Sequence, residues 1–310
     1  MELCIGPYAS YHTLIIINAV SPVLFLICSP WVPESPYFLL NNNKKDEAVK
    51  TMVWLRGGIT TKSAETIVTD IQAFIDRSKT DKKSIKDLVA TPATIKGLLM
   101  TIILLALQQL SGMPVMLIYT QQLFEQTGTN ISASLSAILF GIVYVLGATA
   151  GPVFSKQCGF RLPLIVSCLF LFLCEFILGV YLYFDANGYE VSQFKFTVMV
   201  CVLGYAAIYN FALGPMPWAI MGEVLPPNVK GKASTIATFC CFLSAFLAVK
   251  MFPILSDILP NYVIFWMFAS VNIIASVFTL LFVPNTKGMS LQQIQDKLAS
   301  KKPTNGSEQT

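Results

Sequence analysis

The chain has 310 residues, of which 55% are hydrophobic and 12% are charged, with a formal net charge of +4. A soluble domain carries about 25% charged residues. This composition and a mean hydropathy of +0.64 therefore exclude an ordinary soluble enzyme, a disordered chain and a nucleic-acid-binding protein. They predict an all-α membrane protein whose main partner is the lipid bilayer.

Seven apolar stretches are long enough to cross a hydrocarbon core of about 30 Å as helices. They are predicted at Tyr11–Ser29, Gly97–Leu117 (running on to Phe124), Ser134–Phe154, Leu162–Phe184, Phe196–Met221, Ala233–Phe252 and Tyr262–Val283. The apolar residues before the first span, Leu3–Ala9, are too few to cross and resemble the end of an earlier helix. Met1–Ser10 also lacks the basic start and the cleavage site of a signal peptide.

The basic residues predict the orientation of the chain. Nineteen of the 21 Lys and Arg residues lie between spans one and two, after span three, after span five or in the tail. Since positive loops stay in the cytoplasm, we expect a multi-pass protein of the cell membrane with a cytoplasmic C-terminus. Asn130-Ile131-Ser132 is a glycosylation sequon on the predicted outer face, close to the membrane.

The segment between spans one and two predicts a linker of short amphipathic helices. Asn41–Asn43 is expected to cap a helix over Asp46–Leu55, and a break at Gly57-Gly58 precedes a second helix over Ser63–Ser78. Further short helices are predicted at Ser84–Val89 and, in the tail, at Ser290–Ala299. The domain prediction is one full span in 1–32, the linker in 33–95, a six-span bundle in 96–284 and a tail in 285–310.

The cysteine and histidine usage predicts neither a disulfide framework nor a metal site. The eight cysteines include no Cys-x-x-Cys pair, none lies in a predicted external loop, and the single His12 cannot build a metal site. No cofactor is expected, and the linker has no His, no Cys and no Gly-rich phosphate loop, so no enzyme activity is predicted.

Span five contains a helix-breaking sequence, Gly214-Pro215-Met216-Pro217-Trp218. Each proline removes a backbone donor and clashes with the preceding turn, so the helix must kink or break there. Broken membrane helices line polar cavities, and transporters use them as hinges at solute sites. Trp218 offers a flat apolar face with one donor, which suits a sugar ring. The alternative is a passive kink with a packing tryptophan.

Span two contains adjacent amides in Gln108-Gln109-Leu110-Ser111-Gly112. Amides inside a membrane helix are costly unless they are hydrogen-bonded. They offer donors and acceptors that suit a polyhydroxylated solute. One helical stripe joins Gln108, Gly112, Val115, Tyr119 and Gln122, which makes Tyr119 a further candidate. The alternative is that the amides hold neighbouring helices together.

Two acidic residues and their surroundings suggest further roles. Glu223 leaves span five near Lys230 and Lys232, so these groups form either an ion-pair network closing an inner gate or ordinary interfacial charges. Glu175 is the only acidic residue well inside a span, so it is a candidate proton or cation site. It could equally be a neutral group that is hydrogen-bonded to a neighbouring helix.

Four motifs occur in order along the chain: Pro33-Glu34-Ser35-Pro36, Gln108-Gln109-Leu110-Ser111-Gly112, Gly214-Pro215-Met216-Pro217-Trp218 followed by Glu223 and Lys230-Gly231, and Val283-Pro284-Asn285-Thr286-Lys287-Gly288. Together they resemble those of the sugar porter family of the major facilitator superfamily. The run Met221-Gly222-Glu223-Val224-Leu225-Pro226 most resembles its insect facilitated trehalose transporter branch. The resemblance extends from about Gly6 to Leu298 and preserves the order, spacing and sidedness of the motifs.

The resemblance implies facilitative transport of trehalose or a hexose by alternating access. It implies that Gln108, Gln109 and Trp218 contact sugar, and it assigns to the inner gate Glu34, Arg161, Glu223 and Lys230. Such carriers have twelve spans in two halves, and this chain resembles only the end of span five through span twelve. We therefore expect N-terminal helices in a full protein and no transport by this chain alone.

The sequence departs from the family pattern at several positions. Pro114, Tyr144 and Cys241 stand where the family has Asn, and Lys156 replaces an acidic residue. Three lost amides favour an alternative in which the protein is a sugar sensor or a degenerate paralogue that does not transport. A seven-span receptor is a remote alternative, because the largest predicted cytoplasmic loop follows the first span and no Asp-Arg-Tyr-like motif is present.

Overall fold

The computed structural model describes residues 10–80, 92–126, 133–225 and 229–285. All regular secondary structure in these ranges is helical, which confirms the all-α prediction. The chain divides into two compact units, residues 1–84 and 85–310.

The first unit contains an apolar helix, α1, and three helices of the linker. They span α1 Tyr11–Cys28, α2 Pro36–Asn41, α3 Lys45–Arg56 and α4 Thr61–Thr80. Helices α2 to α4 pack around a small apolar core formed by Leu39, Leu40, Ala48, Val49, Met52, Ala64 and Val68. The linker thus folds as the predicted amphipathic helices, with their apolar faces turned toward one another.

Two details of this unit differ from the predictions. Helix α2 was not predicted, although Pro36 suits a first helical position because its missing N–H would have no partner there. The predicted Asn cap is wrong: no side chain caps α3, and Asn43 instead takes a left-handed φ of +61°. The break at Gly57-Gly58 is confirmed by positive φ values of 48° and 77°. The helices predicted at Ser84–Val89 and Ser290–Ala299 lie outside the described residues.

The second unit is a bundle of apolar helices. They span α5 Pro92–Leu110, α6 Met113–Gln126, α7 Ala133–Cys158, α8 Arg161–Ala186, α9 Lys195–Ile208, α10 Met216–Val224, α11 Lys230–Ile258 and α12 Asn261–Phe282. With α1, the described residues contain seven helical stretches that are long and apolar enough to cross a membrane, as predicted.

Small residues let the bundle helices approach closely. An added β-carbon at Gly147 of α7 would lie 2.3 Å from the carbonyl oxygen of Ala207, and one at Gly151 would lie 2.2 Å from that of Phe211. Helix α8 packs along α12, and α5 packs along α11. Because lipid supplies no hydrophobic driving force between helices, such close packing is a main source of stability within a membrane.

Two of the membrane-length stretches are broken. The predicted continuous helix over Gly97–Leu117 is wrong: α5 ends at Leu110, and α6 starts at Met113 after Gly112 with φ +92°. Pro114 explains the restart, since its missing N–H is tolerated only in the first turn of a helix. We call Ser111–Gly112 the first break.

The break predicted in span five is confirmed. Helix α9 ends at Ile208, and a π-helical turn follows over Tyr209–Leu213. The regular helix resumes only at Met216. We call Gly214–Pro215 the second break.

Candidate solute-binding site

A hydrogen bond connects α5, next to the first break, with the second break. Gln108 Nε2 donates to the Gly214 carbonyl oxygen at 2.7 Å. A broken helix leaves carbonyl groups without intrahelical donors. The Gln108 amide donates to one of these carbonyl groups. This hydrogen bond therefore joins the helix that ends at the first break to the second break, which lies about a hundred residues further along the chain.

Only part of the Gln108 side chain is used by the protein. The residue is 3% exposed, and its Oε1 atom accepts no hydrogen bond from the described residues. A buried amide oxygen without a donor is costly. Gln108 thus holds two helices together through its nitrogen, and its side chain also interacts with the phenol of Tyr209.

Gln109 and Trp218 meet at the same neighbour on α11. Gln109 Nε2 lies 3.1 Å from the sulfur of Cys241, and Trp218 packs against a cluster of Leu105, Ala237 and Cys241. Thiol sulfur is a weak acceptor, so a hydroxyl group could displace it from the Gln109 amide. The structure therefore brings together Gln108, Gln109, Trp218 and the second break.

Tyr119 belongs to a different cluster. Its ring lies 4.7 Å from that of Phe252, and both pack with Val115 and Ile264. Because α6 begins after the first break, the helical stripe that extended from Gln108 to Tyr119 in the sequence is interrupted. The side chain of Gln122 lies outside the described set.

Polar residues that the sequence did not single out support both breaks. Ser111 Oγ donates to the Gln108 carbonyl oxygen at 2.7 Å, and the buried Tyr205 hydroxyl donates to that of Ser111 at 2.7 Å. Asn210 Nδ2 donates to the Tyr144 carbonyl oxygen at 2.7 Å, next to the π-helical turn. In the sequence, each of these residues is only a polar side chain within an apolar span. Such a side chain predicts a buried hydrogen bond but does not identify the partner.

Glu175 lies behind the first break and is 0% exposed. Its Oε2 accepts a 2.7 Å hydrogen bond from Asn272 Nδ2 on α12. Its Oε1 faces the first break, since an added β-carbon at Gly112 would lie 2.8 Å from it. The hydrogen bond to a neighbouring helix corresponds to one of the two roles expected for Glu175.

The candidate gate cations bond to backbone carbonyl groups. Lys230 Nζ donates to the Gly222 carbonyl oxygen at 2.5 Å, and Arg161 donates to that of Leu280. Among the described residues, no ion pair joins Glu223 to Lys230 or Arg161. Glu34 is exposed in the first unit. The sequon asparagine, Asn130, lies outside the described residues.

The fold is that of the major facilitator superfamily. A proton:xylose symporter of that superfamily bound to 6-bromo-6-deoxy-D-glucose aligns with a TM-score of 0.72 and 24% identity, over 91% of this chain and 57% of the symporter. An inward-open xylose transporter from E. coli aligns with a TM-score of 0.63 and 22% identity, over 89% and 54%.

Residues 5–298 match the family model described as sugar (and other) transporter, so the chain belongs to that family. Facilitated trehalose transporters of Drosophila pseudoobscura pseudoobscura and Anopheles gambiae are 30% and 29% identical to it, each over 94% of this chain. The chain covers 34% and 37% of these relatives, about a third of their length. The relatives are transporters rather than enzymes, and family and helices together define a multi-pass membrane protein.

Proposed function

We propose that this chain belongs to a facilitative sugar carrier of the cell membrane, which moves trehalose or a hexose by alternating access. The observation that carries the proposal is the Gln108–Gly214 hydrogen bond, which joins the amide pair to the second break. Family membership and the trehalose transporters among the relatives support the solute class. The basic residues favour a cytoplasmic C-terminus.

In this proposal the solute binds between the amides and Trp218. A sugar hydroxyl donates to Oε1 of Gln108, and a second hydroxyl accepts from the Gln109 amide in place of the Cys241 sulfur. The indole of Trp218 lies against an apolar face of the ring. Each of these neutral hydrogen bonds contributes about 0.5–1.5 kcal/mol net, so the affinity depends on their number.

The second break is the hinge of this carrier. Gly214, Pro215 and Pro217 prevent a continuous helix, so α9 and α10 can change their relative angle at little cost. A solute that engages Gln108 acts directly on the residue bonded to the Gly214 carbonyl. Solute binding and hinge movement are thereby coupled through a single side chain.

The inner gate forms in another state of the cycle. In the described state Lys230 and Arg161 are bonded to backbone carbonyls rather than to carboxylates. We expect Glu223 to pair with such a cation when the inner side closes. Charge-reversed variants of Glu223 would then slow transport more than they weaken solute binding.

Labelled sugar binding tests the proposal. The chain in lipid nanodiscs is expected to bind labelled trehalose or glucose, and Gln109→Ala weakens this binding by about 2- to 10-fold, since one hydrogen bond is lost. Gln193→Ala, which changes an exposed glutamine in the turn before α9, is the matched control and leaves binding unchanged. Equal affinities of wild type and Gln109→Ala would contradict the assigned site.

Vesicle uptake tests the carrier as a whole. Proteoliposomes that contain this chain alone are expected to take up no labelled sugar, because this chain covers only 57% of the symporter with which it aligns. Uptake by these vesicles would contradict that expectation.

A sugar sensor is the second candidate, favoured by the thiol that occupies the Gln109 amide. Exchange of labelled sugar, measured on the protein with its expected N-terminal helices, distinguishes the two candidates. A carrier exchanges the sugar across the membrane, whereas a sensor binds it without exchange.

A further inference from the structure

A sealed pair of polar side chains lies between α8 and α12. Glu175 and Asn272 are both 0% exposed, and the 2.7 Å bond from Asn272 Nδ2 to Glu175 Oε2 connects them. The sugar-binding groups lie on other helices, so this pair has no part in the solute site described above. Polar residues at such depth are costly and are retained mainly where they have a role.

Two oxygen atoms of this pair lack a donor. Neither Glu175 Oε1 nor Asn272 Oδ1 accepts a hydrogen bond from the described residues. A buried carboxylate is strongly destabilising when no cation or donor compensates its charge. A carboxylic acid, by contrast, is neutral and brings its own O–H group. The arrangement therefore fits a protonated Glu175 better than an ionised one.

The groups shown to interact with Glu175 carry no positive charge. They are the phenol of Tyr205 on α9 and the adjacent thiol of Cys174, which in turn interacts with Cys201 of α9. Among the described residues, other phenols on elements packed against α8 pack on aromatic rings: Tyr262 meets Tyr183 edge to face, Tyr144 stacks on Phe140 and Tyr209 stacks on Tyr205. All of these groups are neutral or anionic.

A metal cation fits the pair less well than a proton. Hard cations such as Ca²⁺ require six or more oxygen ligands, and the pair offers two oxygens without donors. The described residues also contain no group of three or more His, Cys, Asp or Glu side chains that could hold a metal.

The free carboxyl oxygen points at the first break. An added β-carbon at Gly112 would lie 2.8 Å from Glu175 Oε1 and 3.0 Å from the ring of Phe268, so the acid fills the space of a missing side chain. The neighbouring Ser111 carbonyl accepts from Tyr205, and the Ser111 hydroxyl donates to the Gln108 carbonyl. A change at Glu175 is therefore transmitted to the backbone that carries Gln108.

We propose that Glu175 is a proton-binding site whose occupancy controls the first break. With the proton on Oε1, the acid packs against Gly112 as observed. When the proton leaves to solvent, a negative charge remains behind Ser111–Gly112, and the break must rearrange to admit water or a donor. Solute binding at Gln108 then becomes pH-dependent, and only this last consequence rests on the proposed function.

Infrared difference spectroscopy of the chain in nanodiscs tests the protonation directly. At neutral pH the wild type is expected to show the C=O band of a protonated carboxylic acid, shifted in D₂O and lost in Glu175→Gln. Glu190→Gln, an exposed carboxyl, is the matched control and retains the band. Asn272→Ala shifts the band without removing it, because one donor to the acid is lost.

Hydrogen exchange tests the connection to the break. Protection of residues 108–118, corrected for the intrinsic pH dependence of exchange, is expected to fall as the pH rises through the loss of the infrared band. In Glu175→Gln the same segment stays protected at every pH. If the wild type shows no band of a protonated carboxylic acid, whether or not sodium is added, the proton site is contradicted. A band that titrates with no change in protection overturns control of the break.

The infrared experiment needs no sugar. A chain that fails to bind trehalose or glucose but shows the Glu175 band contradicts the proposed function and supports the proton site. The opposite combination contradicts only the proton site.

Discussion

The two breaks of the bundle are stabilised by different chemistry. At the second break a neutral amide, Gln108, bonds to the Gly214 carbonyl, and its own oxygen accepts no hydrogen bond from the described residues. At the first break a fully buried carboxyl, Glu175, packs against Gly112 and is held from behind by Asn272. The difference shows how similar interruptions can serve different purposes: one borders the solute site proposed above, and the other packs against a buried acid.

Gly112→Ala is expected to have the largest effect on stability, because it changes the first break where the buried carboxyl of Glu175 packs against it. The added methyl group meets the Glu175 carboxyl and the Phe268 ring, and the residue must keep a φ of +92°. Overpacking and backbone strain together cost roughly 2–5 kcal/mol. We expect a large drop in the thermal unfolding midpoint in detergent. Gly231→Ala, where nothing lies within 4 Å of the new methyl, is the control and should leave it unchanged. Equal midpoints would show that the first break is loosely packed.

Asn272→Ala should have the next largest effect. It removes the donor to Glu175 Oε2 and leaves the acid with two unpartnered oxygens in a dry interior. An unsatisfied buried acceptor costs about 1–3 kcal/mol. The thermal midpoint is expected to fall by less than for Gly112→Ala, while Ser270→Ala on the exposed side of α12 has no effect. An unchanged midpoint would mean that water replaces the amide at no cost.

Gln108→Ala and Gln109→Ala separate stability from recognition at the second break. Loss of the Gln108–Gly214 bond leaves a carbonyl without its donor, which costs about 1–2 kcal/mol of stability in addition to weaker sugar binding. Gln109 bonds to a thiol, so its removal is expected to weaken binding with almost no change in the thermal midpoint. Equal stability losses in both variants would contradict the structural role assigned to Gln108.

Cys241→Asn is expected to have the smallest effect, which is an increase in sugar affinity. The resemblance implies an amide at this position, next to Gln109 and Trp218. One restored hydrogen bond is expected to tighten sugar binding by about 2- to 10-fold. Cys240→Asn, the neighbouring thiol on α11, is the matched control with unchanged affinity. Weaker binding in Cys241→Asn would indicate that the thiol itself suits the solute.

Apolar length and proline chemistry made much of the bundle predictable. Seven helical stretches and the second break follow from residues whose effects are local: long apolar runs must form helices in lipid, and Pro215 and Pro217 cannot sit inside one. The first break is not predicted, because neither Gly112 nor Pro114 alone must end a membrane helix. Together they end one helix and start another. The Asn cap failed because Asn43 adopted a left-handed turn instead of accepting a helix N–H.

The partners of buried polar groups were beyond the reach of the sequence. Nothing local indicates that Asn272 would bond to Glu175 across 97 positions, or that the Gln108 amide would bond to the carbonyl of Gly214 across 106. Likewise, Tyr119 shared a helical stripe with Gln108 in the sequence, but the first break places it in another cluster with Phe252.

By itself, the sequence determined the membrane environment, the number of apolar helices in the described residues and the identity of the amide pair. These properties depend on composition and on interactions within a few residues. The tertiary structure alone decided which carbonyl Gln108 bonds to and why Gly112 lies where a carboxyl fills its side-chain space. Such facts depend on how helices pack, and packing brings together residues that no local pattern connects.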